Sequence, residues 1–326
     1  MKTDRRQWMA LALAATALFA GGAAAQAYPE KTISLVVAYP PGGDSDATAR
    51  LFAEKLSQRL KQPVIVENKP GAGGTLGNTY VSRAKADGYT LLFTPNPFTT
   101  APMVLKLAPS ASYDVLNGFE PVVLSAMQSV LLVTHAESGI KTVSDLVAQA
   151  KAGKQLTYAS PGAGSPMHIV AEWLNRAAGI EVQHVPFRGV GPMIPDMLAG
   201  RVTMGYATLG AVEAHLKTGK LVAVALTDGE RSPLVPNLST VAEQGYKDVK
   251  LGAWNGIFAP KGTPPAVVKL LNEHMNEILR MPDVVEKMAT FGSRPVGGKP
   301  EALAKINADD YARLSKLIKD LNIQAD

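Results

Sequence analysis

The 326-residue chain is 46% hydrophobic and 19% charged, which gives ample apolar residues for a packed core and a length that favours two domains over one. It contains no cysteine, which excludes disulfide frameworks, thiolate zinc sites, iron–sulfur clusters and a cysteine nucleophile. The formal charge is +5, of which residues 1–27 supply two; the remaining three are too few and too dispersed for a nucleic-acid footprint.

Lys2, Arg5 and Arg6 precede an apolar run from Trp8 to Ala20 and a small-residue stretch from Gly21 to Ala27, the order of a secretory signal peptide over residues 1–27. The run falls short of the roughly 20 apolar residues that a membrane span needs. Ala23-Ala24-Ala25 and Ala25-Gln26-Ala27 both fit the cleavage rule, so the mature chain is expected to begin at Gln26 or Tyr28. Arg5-Arg6 also resembles a twin-arginine signal, which leaves the export route open. No later segment is long and apolar enough to cross a bilayer.

From Tyr28 onward, short β-branched runs alternate with amphipathic stretches, the pattern of parallel sheets with crossover helices. Strands are expected over 33–39, 64–66 and 89–94. A helix with Asp44 or Ser45 as its N-cap places Ala49, Phe52, Ala53, Leu56 and Leu60 on one face, and a second helical stretch covers 75–84. A further series starts at Val130. Strands are expected over 130–134, 156–159, 182–187, 202–206 and 221–226, with helices over 143–152, 166–178, 191–199 and 209–218. Thr142 caps the first of these helices, and Gly179, Gly200 and Gly219 stand where left-handed C-terminal caps belong. A strand over 253–259 and helices over 264–281, 282–291 and 300–321 complete the chain. These last helices need a sheet to cover, so residues 28–126 plus 253–326 form one lobe and residues 127–252 an inserted one, with two crossings between them.

Catalytic signatures are missing: there is no G-x-S-x-G, no P-loop, no H-E-x-x-H and no G-x-G-x-x-G. The five histidines are scattered without ligand spacing, and no metal or cofactor is expected. A hydrolase built on Ser165 with His168 or His184 is disfavoured because Pro166 follows the serine and no nucleophile elbow surrounds it. What does recur is one type of strand-to-helix loop: Pro40 to Asp46, Pro70 to Thr75, and Ser160 to Ser165. Glycine lets backbone N–H groups turn toward one point, and the helix start behind each loop adds about half a positive charge. Carboxylate fits these cradles better than phosphate, since none carries a P-loop lysine and Arg188 is the nearby cation.

PPGGDSD at 40–46, VENKPGAGGTLG at 66–77, DGYTLL at 87–92, YASPGAGSPMH at 158–168, VPFRG at 185–189, LAGRV at 198–202, RSP at 231–233 and FAPKGTP at 258–264 occur in one order along the chain. Together they resemble the tripartite tricarboxylate transporter solute receptors, the Bug or TctC-type proteins. That resemblance implies a periplasmic binding protein of the type II-like Venus flytrap kind: two α/β lobes joined by two crossovers, monomeric, closing on a small organic anion without catalysis. The anion would be a di- or tricarboxylate, an amino acid or an aromatic carboxylate, and the partner a set of membrane transporter subunits or a membrane sensor. Carried onto this sequence, the binding residues would be Pro41, Gly42, Gly43, Ser45 and Asp46, with Gly73, Gly74 and Thr75 beside them. Ser160, Gly164, Ser165 and His168 would face them, with Arg188 and Gly189 behind. Two departures bear on the ligand: Tyr206-Ala207-Thr208 replaces an aspartate-containing stretch, making Thr208 a candidate contact, and Asn96-Pro97-Phe98 puts a ring where an apolar ligand body could rest or where plain loop packing would place it.

Overall fold

The computed structural model describes residues 28–323, so the leader and its cleavage sites lie outside the described residues. In chain order the strands are β1 (Ile33–Val37), β2 (Val64–Asn68), β3 (Thr90–Pro95), β4 (Phe119–Gln128), β5 (Val130–His135), β6 (Thr157–Ser160), β7 (Gln183–Pro186), β8 (Met204–Thr208), β9 (Leu221–Leu226), β10 (Ala253–Pro260) and β11 (Ser293–Pro295). They form two sheets, ordered β11-β4-β10-β3-β1-β2 and β7-β6-β8-β5-β9. The helices are α1 (Asp44–Leu60), α2 (Thr75–Ser82), α3 (Pro97–Val104), α4 (Val143–Lys151), α5 (Pro166–Ala178), α6 (Val190–Leu198), α7 (Leu209–Lys217), α8 (Pro265–Ile278), α9 (Pro282–Thr290) and α10 (Pro300–Asp320). The two-lobed α/β arrangement anticipated from the sequence is the one observed.

Periodicity explains which faces are buried. Ile33, Leu35 and Val37 of β1 pack with Ala49, Phe52, Ala53 and Leu56 of α1, while Val36 turns to the opposite core with Leu92, Trp254 and Phe258. A strand covered on both faces reads as a continuous apolar run, which is what ISLVV is. Parallel pairing holds for β1 with β2 and β3, and for β6 with β7 and β8. It fails for β10, antiparallel to β3 and β4, and for β5, antiparallel to β8 and β9. These strands enter their sheets from the other lobe, so they arrive in the opposite sense, which the expected pattern of parallel sheets with crossover helices does not include.

The two crossing segments are tied to each other. Thr227 N–H donates to Val130 O at 2.9 Å, Leu251 N–H donates to Thr227 O at 2.7 Å, and the Thr227 hydroxyl donates to Leu251 O at 2.8 Å. Asp228 adds a side-chain bond, accepting from Val130 N–H at 3.1 Å. The long C-terminal helix α10 touches both cores: Leu303 packs with Phe258 and Trp254, whereas Leu314 and Ile318 pack with Leu132 and Tyr158. Trp254 Nε1–H donates to Asp310 Oδ2 at 2.9 Å and holds α10 against the re-entering strand.

Asp228 makes the crossings pH-sensitive. Burial pushes its carboxyl up to about 7, with Glu230 adding to the rise while the Val130 hydrogen bond and Arg294 oppose it. The folded chain keeps this proton where the unfolded chain, with a carboxyl near 4, has released it, so stability falls as pH rises from about 4 to about 7. Asp228→Asn retains an acceptor for Val130 and removes the charge. It is expected to raise the melting temperature at pH 8 by a few degrees, on the order of 2 kcal/mol for a partly buried group, and to leave pH 4 stability unchanged. Melting curves of both forms across pH 4–8 check this; parallel curves would contradict it.

Candidate functional site

The first glycine loop is built around Asp46. This carboxylate is 4% exposed, and Oδ2 accepts from Gly42 N–H at 2.9 Å and from Arg50 Nε at 3.0 Å while Oδ1 accepts from the Asn68 amide at 2.9 Å. Burial works against its ionisation, but these bonds outweigh burial and hold its pKa below the ordinary carboxylate value. Asp46 is therefore saturated from within and shapes the loop. Asn68 also donates to Tyr39 O at 3.1 Å, linking the ends of β1 and β2. The helix cap differs from expectation: Gly43 takes the N-cap position of α1 without a side-chain bond, and Asp44 and Ser45 are already helical. The first N–H groups of α1 accordingly have no side-chain cap, and a Cβ on Gly43 would find no atom closer than 4.0 Å.

In the second loop Gly71, Ala72, Gly73 and Gly74 all have positive φ, at 136°, 47°, 64° and 94°. Only Ala72 carries a side chain there, so the run is strained at one residue, and Gly74 is required because a Cβ would press on the Tyr39 ring at 3.1 to 3.2 Å. Tyr39 donates its hydroxyl to Gly73 O at 3.0 Å, fastening this loop to the first. Thr75 begins α2 fully buried, with a hydroxyl that has no hydrogen-bond partner. Asn96 is likewise buried; its amide donates to Gly252 O at 3.1 Å, and its Oδ1 has no partner.

The third loop belongs to the other sheet. Ser165 caps α5 by accepting from His168 N–H at 3.2 Å, and His168 Nδ1 accepts from Gly164 N–H at 3.1 Å. His168 stacks on His184 with ring centroids 4.0 Å apart, and burial, reinforced by His184, brings its pKa down to about 3. It is thus a neutral acceptor that braces the loop. Ser160 is fully buried with its hydroxyl 2.7 Å from His184 Nε2. Gly189 N–H donates to Pro161 O at 2.9 Å, tying the start of α6 to the same loop. Arg188 is exposed and forms no ion pair among the described residues.

Helix α3 brings the second and third loops together. Ala101 and Leu105 flank Gly73, while Val104 lies 3.0 Å from where a Gly164 Cβ would be and the Thr100 hydroxyl donates to Gly164 O at 2.6 Å. The first loop reaches the other sheet directly, through the Thr208 hydroxyl, which donates to Asp44 Oδ2 at 2.7 Å. A second seam runs between Gly210 of α7 and Phe291–Gly292 after α9: a Cβ on Gly210 would sit 2.3 Å from Phe291 O. Pro41, Gly42 and Gly43 are exposed, Ser45 is half-buried, and Thr208 is 5% exposed.

Phe98 is a correction. It is fully buried in α3 and packed against Tyr113, Phe119 and Phe258, with centroids 5.2, 5.1 and 4.7 Å away, so it belongs to the core and offers no face to a ligand. The β3–α3 junction turns the ring inward because Pro97 starts a helix there, which the three-residue motif did not reveal. Of the other expected contacts, the Asp46 carboxylate accepts from Gly42 N–H, the Ser160 hydroxyl pairs with His184 of β7, and His168 Nδ1 accepts from Gly164 N–H. Sequence reasoning missed Asp44, visible only as a helix cap, and Asn255, whose buried amide has no partner on either atom in mid-strand β10. Among the described residues no group of three or more metal-ligating side chains occurs, and no helix is long and apolar enough to cross a membrane.

Comparison with known proteins agrees with this architecture. The family model described as tripartite tricarboxylate transporter family receptor matches residues 48–323. Protein BugT of Bordetella pertussis is 35% identical over 309 residues, covering 94% of each chain. An R. palustris protein solved with adipate, Rpa4515, superposes with a TM-score of 0.83 at 29% identity, covering 91% of this chain and 99% of its own. MatC from Rhodopseudomonas palustris, solved with bound malate, gives 0.81 at 30% identity, over 89% and 100%. With the family model spanning most of its length and a relative above 30% identity along nearly all of it, the chain belongs to the tripartite tricarboxylate transporter receptor family.

Proposed function

We propose that this receptor closes on a small organic carboxylate between its two lobes and hands it to a membrane transporter, with no chemical step. The observation that carries the reading is the meeting of three glycine-led loops from two sheets at one seam, spanned by α3 and by the Asp44–Thr208 bond. Helix starts that lack side-chain caps offer N–H groups to an anion, and α1, α2 and α6 begin on Gly43, Gly74 and Gly189 without such caps. Pro41, Gly42, Gly43, Ser45, Gly73, Gly74 and Thr75 would contact the acid from lobe 1, and Gly164, Ser165, Gly189 and Thr208 from lobe 2, with Arg188 entering on closure. Asp46, Ser160 and His168 would hold those loops in shape. Malate and adipate, bound by the two R. palustris relatives, set the size range of the guest.

Lobe 1 is assigned to residues 28–126 and 253–326 and lobe 2 to 127–252, with the tied crossings near Val130 and Gly252 as the hinge. The leader at 1–27 directs the chain to the periplasm, where it acts as a monomer. A serine hydrolase is a poor fit: the Ser165 hydroxyl caps α5 and the His168 ring nitrogen is turned to Gly164.

The test is a thermal-shift screen of protein residues 28–326 against succinate, malate, adipate, citrate, L-glutamate and benzoate. A true ligand at 100 times its dissociation constant stabilises by about 2.7 kcal/mol, a shift of several degrees. Gly43→Val should abolish that shift and leave the unliganded melting temperature within about 2 °C, because Gly43 has ordinary φ of −88° and open space beside it. Gly164→Val cannot serve as the counterpart: φ of 75° and the Val104 contact would strain the fold itself. A flat response across the panel would overturn the reading.

A further inference from the structure

Asp44 is an acidic side chain placed in the wall of a site read as anion-binding. It follows Gly43 directly, at the first helical residue of α1, and among the described residues its side chain is hydrogen-bonded to the Thr208 hydroxyl from the opposite lobe. Thr208 stands at the N-cap of α7 but makes no capping bond; its hydroxyl is turned across the seam instead. The nearest cation along α1, Arg50, is committed to Asp46 and Asn68. Asp44 forms no ion pair among the described residues, and burial raises its pKa with no charged neighbour to offset the rise. In Asp46 the same residue type, two positions on, has its charge fully met.

A half-buried carboxylate without a cation is unfavourable in the closed form, and it repels any second carboxylate brought beside it. A guest that brings its own positive group removes both penalties: its carboxylate meets the backbone N–H groups and its cation meets Asp44. We propose that Asp44 is a specificity-determining residue that selects acids bearing an ammonium group, so that the receptor takes amino acids in preference to the plain dicarboxylates of the same length. This rests on the carboxylate-receptor reading and narrows its ligand class. Thr208 acts separately, as the donor that carries Asp44 across the seam on closure.

Matched pairs test it: L-aspartate against succinate, L-glutamate against glutarate, and L-phenylalanine against 3-phenylpropanoate, by calorimetry on wild type, Asp44→Asn and Thr208→Val at pH 8. The expected result is that in at least one pair wild type binds the amino member at least tenfold tighter. Asp44→Asn, which keeps an acceptor for Thr208, should bring that ratio to within threefold while its unliganded melting temperature at pH 8 is no lower than that of wild type, since the substitution removes a buried charge. Thr208→Val should weaken both members of the pair alike and preserve the ratio. Wild-type preference for the plain acid, or an amino preference that survives Asp44→Asn, overturns the selector role and leaves the receptor reading standing. Binding of no acid by wild type overturns both.

Discussion

Asp46→Ala is expected to reduce affinity for the best-binding acid of the panel by a factor of 100 or more and to destabilise the unliganded protein by about 2–4 kcal/mol. The carboxylate is buried and takes three hydrogen bonds, one of them from a guanidinium, so its loss leaves Gly42 N–H without its acceptor and the Asn68 amide with its Tyr39 O bond alone. Gly42 lies at φ 85°, and Asn68 ties this loop to the end of β1, so both geometry and anchorage of the cradle go together. The pKa direction adds a signature. Because the folded carboxyl sits below its unfolded value near 4, its stabilisation is present above that value and disappears as pH falls through the folded pKa. Asp46→Ala should therefore lose most against wild type at neutral pH and least under strong acid. Calorimetry and melting curves at pH 3 and pH 7 measure both effects, and unaltered affinity would mean that the first loop is not the cradle.

Gly210→Val is expected to hold the two lobes apart. A Cβ at this position would lie 2.3 Å from Phe291 O, and a Cβ on Gly292 would lie 2.3 Å from Gly210 N. Both clashes involve backbone, which cannot swing aside as a side chain can. The contact joins the start of α7 to the turn after α9, so relief comes from separating the sheets. Small-angle scattering should show a larger radius of gyration than wild type, with no compaction on adding the acid, and affinity should fall at least 100-fold while each core stays folded. Wild-type compaction in the variant would show that this seam is not part of closure.

Local sequence chemistry determined a large share of the structure. Helix α5 runs over the residues expected from its Ser165 start and Gly179 stop, and β9 over the expected apolar run Leu221–Leu226. The capping box of Thr142 with Asp145 and the left-handed caps at Gly179, Gly200 and Gly219 are set by residues a few positions apart, so they are readable in one dimension. The two-sheet architecture and the family followed from the same alternation and from linked loop motifs. Helix α3 and strands β4 and β11 were not read, because Pro102 interrupts the first and β4 and β11 are ordered by partners far away in the chain.

What only the tertiary structure decided is which polar groups are spent and which face the seam. Asp44 and Asp46 are two residues apart in PPGGDSD and look alike as helix-start acids. Folding gives Asp46 to Gly42, Arg50 and Asn68, and gives Asp44 a single hydroxyl from residue 208 in the other lobe. Phe98 reads as a loop aromatic until Tyr113, Phe119 and Phe258 enclose it. The Asp44 partner lies 164 positions away, and the Phe98 ring is closed in by Phe258 from the re-entering strand, contacts that no local pattern records. Capping and periodicity act within a turn or two of chain, whereas the charge and exposure of a site are settled by whatever the fold brings beside it.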